Sequence, residues 1–404
     1  MMGEILFLAH RAPYPPDRGD RIRSYHLVKA LAALAPVHVV AFADDDDDAA
    51  AAEGLRPMVA SLATVVRTRG RLEGGLAALA KGQPVSVAMF DDDAIRAAVD
   101  RLLIERPIDT LFVFSGQMAT YVPRDLGGRR FIMDFVDVDS AKFAAYAADA
   151  KAPMRWIHAR EARLLARFER AVAAQADTSL FVSEAEAALF RAGAPGVRIE
   201  PIENGIDLAG FDPAQLWPKP PIDTPFLLFT GQMDYAPNIE AVEAFACGPF
   251  ALIRTARPDV RFVIAGRAPT RSVQRLADLP GVVVTGAVPD MRPWLAHAAA
   301  VVAPLLTARG IQNKVLEAMA MARPVVASPA AHEGIDALDG RDLIVCPLER
   351  MAPAIVGLLS DPDRATAIGR AARARMVARY GWDARLAGLP ALIGREPAAI
   401  GAAA

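Results

Sequence analysis

Two hydrophobic patterns alternate along the chain. Ile5–Ala9 and Val37–Ala43 (VHVVAFA) are short and wholly apolar, as parallel strands covered on both faces are. Between them, Ile22, Tyr25, Leu27, Ala30, Leu31 and Leu34 recur at helical spacing and predict a helix from Arg21 to Leu34. The unit repeats, with strands predicted at Thr64–Arg67, Leu111–Phe114, Phe131–Phe135, Thr178–Val182 and Val197–Pro201. After a break, strands are predicted at Phe226–Thr230, Val260–Ala265, Val282–Thr285, Ala300–Pro304, Pro324–Ser328 and Leu343–Pro347. Alternating strands and helices imply α/β doubly wound parallel sheets. The break, Phe211–Pro221 (FDPAQLWPKPP), holds too many prolines for a helix or central strand and reads as an interdomain linker. Domains are therefore expected at residues 1–210 and 222–380. Helical pattern returns from Pro362 to about Leu392, opened by an Asp361 N-cap.

Three polar segments read as structural. Asp44–Asp48 suits a solvated loop and helix start and is given no chemistry. A long amphipathic helix between Pro153 and Ala176 carries Arg155, Arg160, Arg163, Arg167 and Arg170, balanced by Glu161 and Glu169, which suggests a solvated face. Ser183-Glu-Ala-Glu186 has the spacing of a capping box.

Composition narrows the classes. The 404 residues are 53% apolar with net charge −2, which excludes a disordered chain and gives no electrostatic case for nucleic acid. Cys247 and Cys346 are the two cysteines; far apart and in apolar surroundings, they argue against a disulfide scaffold or zinc site and fit a reducing compartment. No signal peptide is evident, and no apolar run reaches the ~18 residues of a membrane span. A cytoplasmic protein is expected, with attachment to the inner face of a membrane left open and the oligomeric state unassigned.

Candidate chemistry concentrates after strands. Arg309-Gly310-Ile311-Gln312-Asn313-Lys314-Val315-Leu316-Glu317 reads as a polar loop running into a helix start. Unpaired N–H groups and the helix dipole there favour a phosphate, Arg309 and Lys314 add charge, and Glu317 can accept two hydrogen bonds from a sugar diol. The long loop from His10 to Ser24 holds Gly19, which permits close backbone approach, with Arg21 and Arg23 at the following helix start. It has no G-x-G-x-x-G, which disfavours a dinucleotide dehydrogenase. Among Asp134, Asp137 and Asp139, the reading favours Asp137 for a substrate hydroxyl and keeps a helix cap for Asp139. Gly231, Gly266 and Gly286 end strands of the second half, where ligands of open α/β sheets bind, and polar Gln232 and Asn238 follow Gly231. Catalytic-triad, P-loop, EF-hand and HExxH patterns are absent.

Taken together, His10–His26, Asp134–Ser140, Asn204-Gly-Ile-Asp207, Phe229–Tyr235 with Asn238, and Arg309–Met321 give the chain a resemblance, over nearly its full length, to retaining glycosyltransferases of family 4. It most resembles sugar transferases associated with exosortase/PEP-CTERM exopolysaccharide systems. The resemblance implies a GT-B fold, two Rossmann-like domains facing a cleft, with residues 381–404 forming a helix that crosses back and a tail. It implies a nucleotide-diphosphate sugar of UDP or GDP type as substrate, a lipid-linked or saccharide acceptor, and neither cofactor nor metal. Glu317 would take the ribose, Gly310, Ile311, Gln312, Asn313 and Lys314 the diphosphate or sugar, Gly19 would approach the diphosphate, and Val288 the base. Arg21, Gly231, Gln232, Asn238, Gly266 and Leu316 complete the expected donor site, and Asp137, Arg309 and Lys314 are the expected catalytic residues. Three positions depart from the family pattern. Arg309 replaces the first of two glutamates, Gln232 and Asn238 replace the donor-phosphate arginine and lysine, and Val136 replaces a histidine. An epimerase or a non-catalytic nucleotide-sugar-binding scaffold are the alternative readings.

Overall fold

A computed structural model describes residues 3–67, 75, 78, 81–308 and 311–395. It divides into two compact units, Met1–Asn204 with Arg385–Ala404, and Gly205–Ala384.

The first unit holds seven strands: β1 (Glu4–Ala9), β2 (Val37–Ala43), β3 (Ser61–Val66), β4 (Ile108–Phe114), β5 (Arg130–Val136), β6 (Thr178–Phe181) and β7 (Ile199–Pro201). They form one parallel sheet in the order β3-β2-β1-β4-β5-β6-β7. The apolar runs behave as expected: every residue of β1 and β2 is buried, with Phe7 in register between Val39 and Phe112. Helices α1 (Gly19–Ala32), α2 (Asp139–Asp149), α3 (Met154–Gln175) and α4 (Glu184–Gly193) follow β1, β5 and β6.

The second unit repeats the plan with β8 (Phe226–Thr230), β9 (Arg261–Ala265), β10 (Val282–Gly286), β11 (Ala300–Ala303), β12 (Val325–Ala327) and β13 (Ile344–Val345). The order β10-β9-β8-β11-β12-β13, again parallel, reverses direction at β8 and β11. Such a reversal opens a crevice at the carboxyl ends of the strands. Helix α5 (Ala236–Cys247) follows β8, α6 (Asn313–Ala320) follows β11, and α7 (Pro362–Arg379) lies near the end of the unit. Both sheets are therefore the expected doubly wound Rossmann-like layers.

Five expectations need correction. The helix predicted from Pro362 to Leu392 stops at Arg379, and short helices resume at Trp382 and Leu389. The Tyr380 carbonyl accepts from Ile206 N at 2.7 Å, and a Cβ on Gly381 would come within 2.5 Å of Leu208, so a continuous helix would lose this docking. The proline-rich stretch is irregular, but it is fastened within the second unit, with Arg373 donating to the Leu208 and Phe211 carbonyls at 2.9 and 2.8 Å.

Glu161 and Glu169 do not balance the arginines of α3. Both are buried and bind the starts of other helices: Glu161 accepts from Val85 N and Ser86 N (2.8 and 2.9 Å), Glu169 from Ser140 N (2.9 Å). Asp139 does not cap α2, whose N-cap is Val138; carboxylates from elsewhere take that role, Glu169 at Ser140 and Glu186 at Val138 N (2.7 Å). Ser183 caps α4 through Glu186 N, and that same Glu186 carboxylate serves α2 rather than closing a reciprocal box.

Candidate active site

In the second unit the reversal point carries a cavity of about 480 Å³. Of the predicted residues, Gly231, Gln232, Asn238, Gly266, Gln312, Asn313, Lys314 and Glu317 line it, joined by Thr230, Tyr235, Arg267 and Met291. The loop after β8 and the start of α6 thus meet where an open α/β sheet binds ligands.

Glycine is required at two of these positions by contact. A Cβ on Gly266 would lie 1.6 Å from the Gly231 carbonyl oxygen, and one on Gly231 would lie 2.8 Å from Asn238 Nδ2. The turns after β8 and β9 are also laced together, Met233 N donating to the Arg267 carbonyl at 2.9 Å. Bare backbone therefore forms the cavity floor.

Helix α6 begins without a side-chain cap at Gln312, so its first turn directs peptide N–H groups and a positive dipole end toward the cavity. Lys314 stands in that turn, its Nζ 4.3 Å from the centroid of the buried Phe229 ring and 2.6 Å from Asn238 Oδ1. Asn238 is oriented in turn by Nδ2 donating to the Gln232 carbonyl at 2.8 Å. Across the cavity, Arg267 Nη2 donates to Gln232 Oε1 at 3.0 Å. Both amides that replace cations of the family pattern therefore accept a hydrogen bond from a cation supplied by another element.

Glu317 lies three residues beyond Lys314, on the same side of α6. Burial pushes its carboxyl up to about 7, against the pull of the Lys314 charge. Burial likewise pushes the Lys314 ammonium down to about 8, with Glu317 opposing. The cavity thus holds a poorly solvated acid and a poorly solvated base. A ligand offering hydroxyl donors to one and anionic oxygens to the other would relieve both.

Other predicted residues lie elsewhere. Leu316 is buried in the core and Ile311 packs against it, so neither side chain lines the cavity; Val288 is half-buried and also outside the lining. Arg309 and Gly310 fall outside the described residues. In the first unit, Gly19 opens α1 with no atom within 4 Å of a Cβ placed there. Arg21 is buried and bonded to Asp48, with Asp17 at 3.6 Å. The acidic run is therefore not merely solvated, since Asp44 also receives Arg11 Nε at 3.0 Å. Asp137 is exposed after β5.

Arg23 and Asp134 are buried against each other, Nε to Oδ2 at 2.9 Å, and Arg23 Nη1 also reaches the Ile202 carbonyl (2.6 Å) and Asn204 Oδ1 (3.0 Å). Three segments that carry the family resemblance are thus tied at one buried ion pair. Val136, in place of the family histidine, has φ of 70°, a left-handed conformation costly for a β-branched residue. Its N–H donates to Asp134 Oδ1 at 3.0 Å, which helps hold it there.

Sequence reading missed Arg267, Tyr235 and Met291. Arg267 had a usable signal, a cation directly after a strand-ending glycine. Met291 had none, because only the fold brings the middle of the β10–β11 connection to this crevice. Among the described residues no three His, Cys, Asp or Glu side chains gather to hold a metal ion, and no helix is long and apolar enough to cross a membrane.

Comparison with known proteins bears on both units. The profile described as glycosyl transferase 4-like domain matches residues 19–205, and that of glycosyl transferases group 1 matches residues 224–361. No curated protein matches the chain. Sucrose-phosphate synthase from Thermosynechococcus elongatus has a similar fold (TM-score 0.56, 17% identity, 97% of this chain and 98% of that one). So does Anabaena HepE, solved with UDP and glucose (0.57, 15%, 97% and 100%), and S. aureus TarM (0.58, 12%, 97% and 100%). With two glycosyltransferase profiles matching in tandem and the fold shared along 97% of its length, the chain belongs to the GT-B fold superfamily of glycosyltransferases.

Proposed function

We propose that the chain is a retaining, metal-independent hexosyltransferase. It moves a sugar from a UDP- or GDP-type donor to a hydroxyl of a lipid-linked or saccharide acceptor. We place it in exopolysaccharide or glycoconjugate assembly, of the kind associated with exosortase/PEP-CTERM systems, in the cytoplasm and at the inner face of the membrane. The observation that carries the reading is the pairing of Glu317 with Lys314 on one side of α6, in a cavity floored by Gly231 and Gly266. Solved proteins of similar fold hold UDP or UDP-glucose.

In this reading Glu317 accepts the two ribose hydroxyls, and the diphosphate lies over the α6 N-terminus against Lys314 and Arg267; Arg309 is assigned to the same phosphates from its place in the sequence. The bond from the anomeric carbon to the diphosphate oxygen breaks and a bond to the acceptor oxygen forms. The acceptor proton passes to the departing phosphate, so no strong protein base is needed. Fixed N–H groups and cations stabilise the charge that builds on the leaving group. Asp137 is assigned to a substrate hydroxyl.

A thermal-shift panel of nucleotide sugars tests the donor class, since a ligand of the folded state raises its melting temperature. One UDP- or GDP-sugar should stabilise the protein, and no response to any would overturn the reading. Incubating that donor alone and then with acceptors separates epimerisation from transfer, and binding without either product would leave a scaffold.

The phosphate charge is expected to be met by Lys314 and Arg309. Lys314→Ala and Arg309→Ala should each weaken donor binding about tenfold or more, the worth of a charge-assisted hydrogen bond. Calorimetry showing unchanged affinity in both would remove the assignment.

Donor affinity should also peak between about pH 7 and 8. Below about 7 the Glu317 carboxylate gains a proton and loses acceptor capacity; above about 8 Lys314 loses its charge. Each limb should fall toward tenfold per pH unit. A flat calorimetric profile across both limits would show that these groups do not touch the donor.

A further inference from the structure

Helix α3 carries Trp156, Arg160, Arg163, Arg167 and Arg170. Their spacing of four, three, four and three places them on one side of a helix. That side faces outward: Arg163, Arg167 and Arg170 are exposed, Trp156 is 70% exposed, and the buried residues Glu161, Leu165, Glu169 and Val172 mark the opposite side. The stripe runs ~20 Å from Trp156 to Arg170 at 1.5 Å per residue.

Two features distinguish it from an ordinary solvated face. The only glutamates of α3 point inward and bind the starts of other helices; of the outer cations, Arg170 is opposed by the Glu169 charge. None of Arg155, Arg163 and Arg167 forms an ion pair with a carboxylate of the described residues. Large apolar side chains also crowd the tip of the α2–α3 hairpin, with Tyr146, Met154 and Ile157 exposed beside Trp156. Residues 142–160 carry Lys142, Lys151, Arg155 and Arg160 against Asp149, with Lys142 4.0 Å from Asp139 and Arg160 donating to the Ala78 and Gln83 carbonyls. A cationic stripe ending in a tryptophan-bearing apolar tip is the surface that lies flat on an anionic bilayer. Its arginines reach lipid phosphates while Trp156 and Ile157 enter the headgroup boundary.

We propose that the outer face of α3 and the α2–α3 tip dock this protein on anionic lipid. The proposal gives the membrane contact of the preceding reading a location, and it does not depend on transfer, because vesicle binding is read without nucleotide or acceptor. The full chain is centrifuged with vesicles of phosphatidylcholine alone or of phosphatidylcholine mixed with phosphatidylglycerol. It should sediment with the mixed vesicles only, less so as salt rises. The Arg163→Glu/Arg167→Glu variant should lose at least about tenfold in partitioning. Trp156→Ala should also weaken binding and should abolish any blue shift of emission that vesicles induce in the parent protein. These side chains are exposed, so circular dichroism and melting of the variants should match the parent and exclude misfolding. Absence of binding to the mixed vesicles, equal binding to both kinds, or binding untouched by the double charge reversal would overturn the proposal. The last two outcomes would point to apolar contact alone or to a different surface.

Discussion

Glu317→Gln is expected to weaken donor binding roughly a hundredfold while making the empty protein harder to melt at pH 8. The two effects have one origin. Burial raises the Glu317 carboxyl from 4.5 to about 7, so the folded chain holds this proton more tightly than the unfolded chain does. Stability contributed by the protonated form is complete below about 4.5 and is lost as pH rises through about 7. Above that, an ionised carboxylate sits in the cavity with, among the described residues, the Lys314 charge to offset its burial, and glutamine removes the cost without changing shape. Binding responds oppositely. A carboxylate can accept from both hydroxyls of a diol, whereas an amide offers one acceptor and sets an NH2 group against the second hydroxyl. Losing charge-assisted bonds worth ~1.5–3 kcal/mol each gives the hundredfold figure. Calorimetry with the best donor from the thermal-shift panel, and melting without it, measure the two effects. Weaker binding with a lower melting temperature would mean that Glu317 is a structural residue.

Asp134→Ala should destabilise the first unit by ~3–5 kcal/mol, because it leaves the Arg23 guanidinium buried without a counter-charge. Both side chains are essentially inaccessible, and Arg23 Nη2 has no partner among the described residues even with Asp134 in place. Replacing both residues with apolar ones of similar size should cost less than the single change, since no unpaired charge remains. Denaturant unfolding of the single and double variants measures this, and a loss under about 1 kcal/mol for Asp134→Ala would show that water reaches the pair. The Glu317 site lies in the other compact unit, so a folding defect here and a binding defect there can be told apart by melting.

These two residues illustrate what the sequence could disclose. Glu317 and Lys314 were legible because three residues of helix place them together without help from the rest of the fold. The strands were legible because a wholly apolar run of five to seven residues has few other destinations than a doubly covered sheet. Arg23 at a helix start, Asp134 after an apolar run and Asn204 in a turn were each visible as polar groups, but their meeting spans 111 and 181 residues of chain. Nothing local separates a buried ion pair from a substrate site over such distances. Glu161 and Glu169 misled for a related reason. A glutamate among arginines looks like a surface partner until the fold reveals a helix start beneath it.

The return of Arg385–Arg395 to the first unit bears on how the chain is made. Arg395 Nη2 donates to Asp109 Oδ1 at 2.7 Å and to the Gly3 carbonyl at 2.9 Å, and Arg130 Nη1 donates to the Leu392 carbonyl at 3.3 Å. The amino-terminal sheet can assemble while the ribosome is still translating, but its last bonds wait for the carboxyl-terminal residues to emerge. The unit begun first is finished last. A nascent chain stalled after Ala384 would carry a complete second unit and an unclosed first one, the reverse of the vectorial order in which domains ordinarily mature.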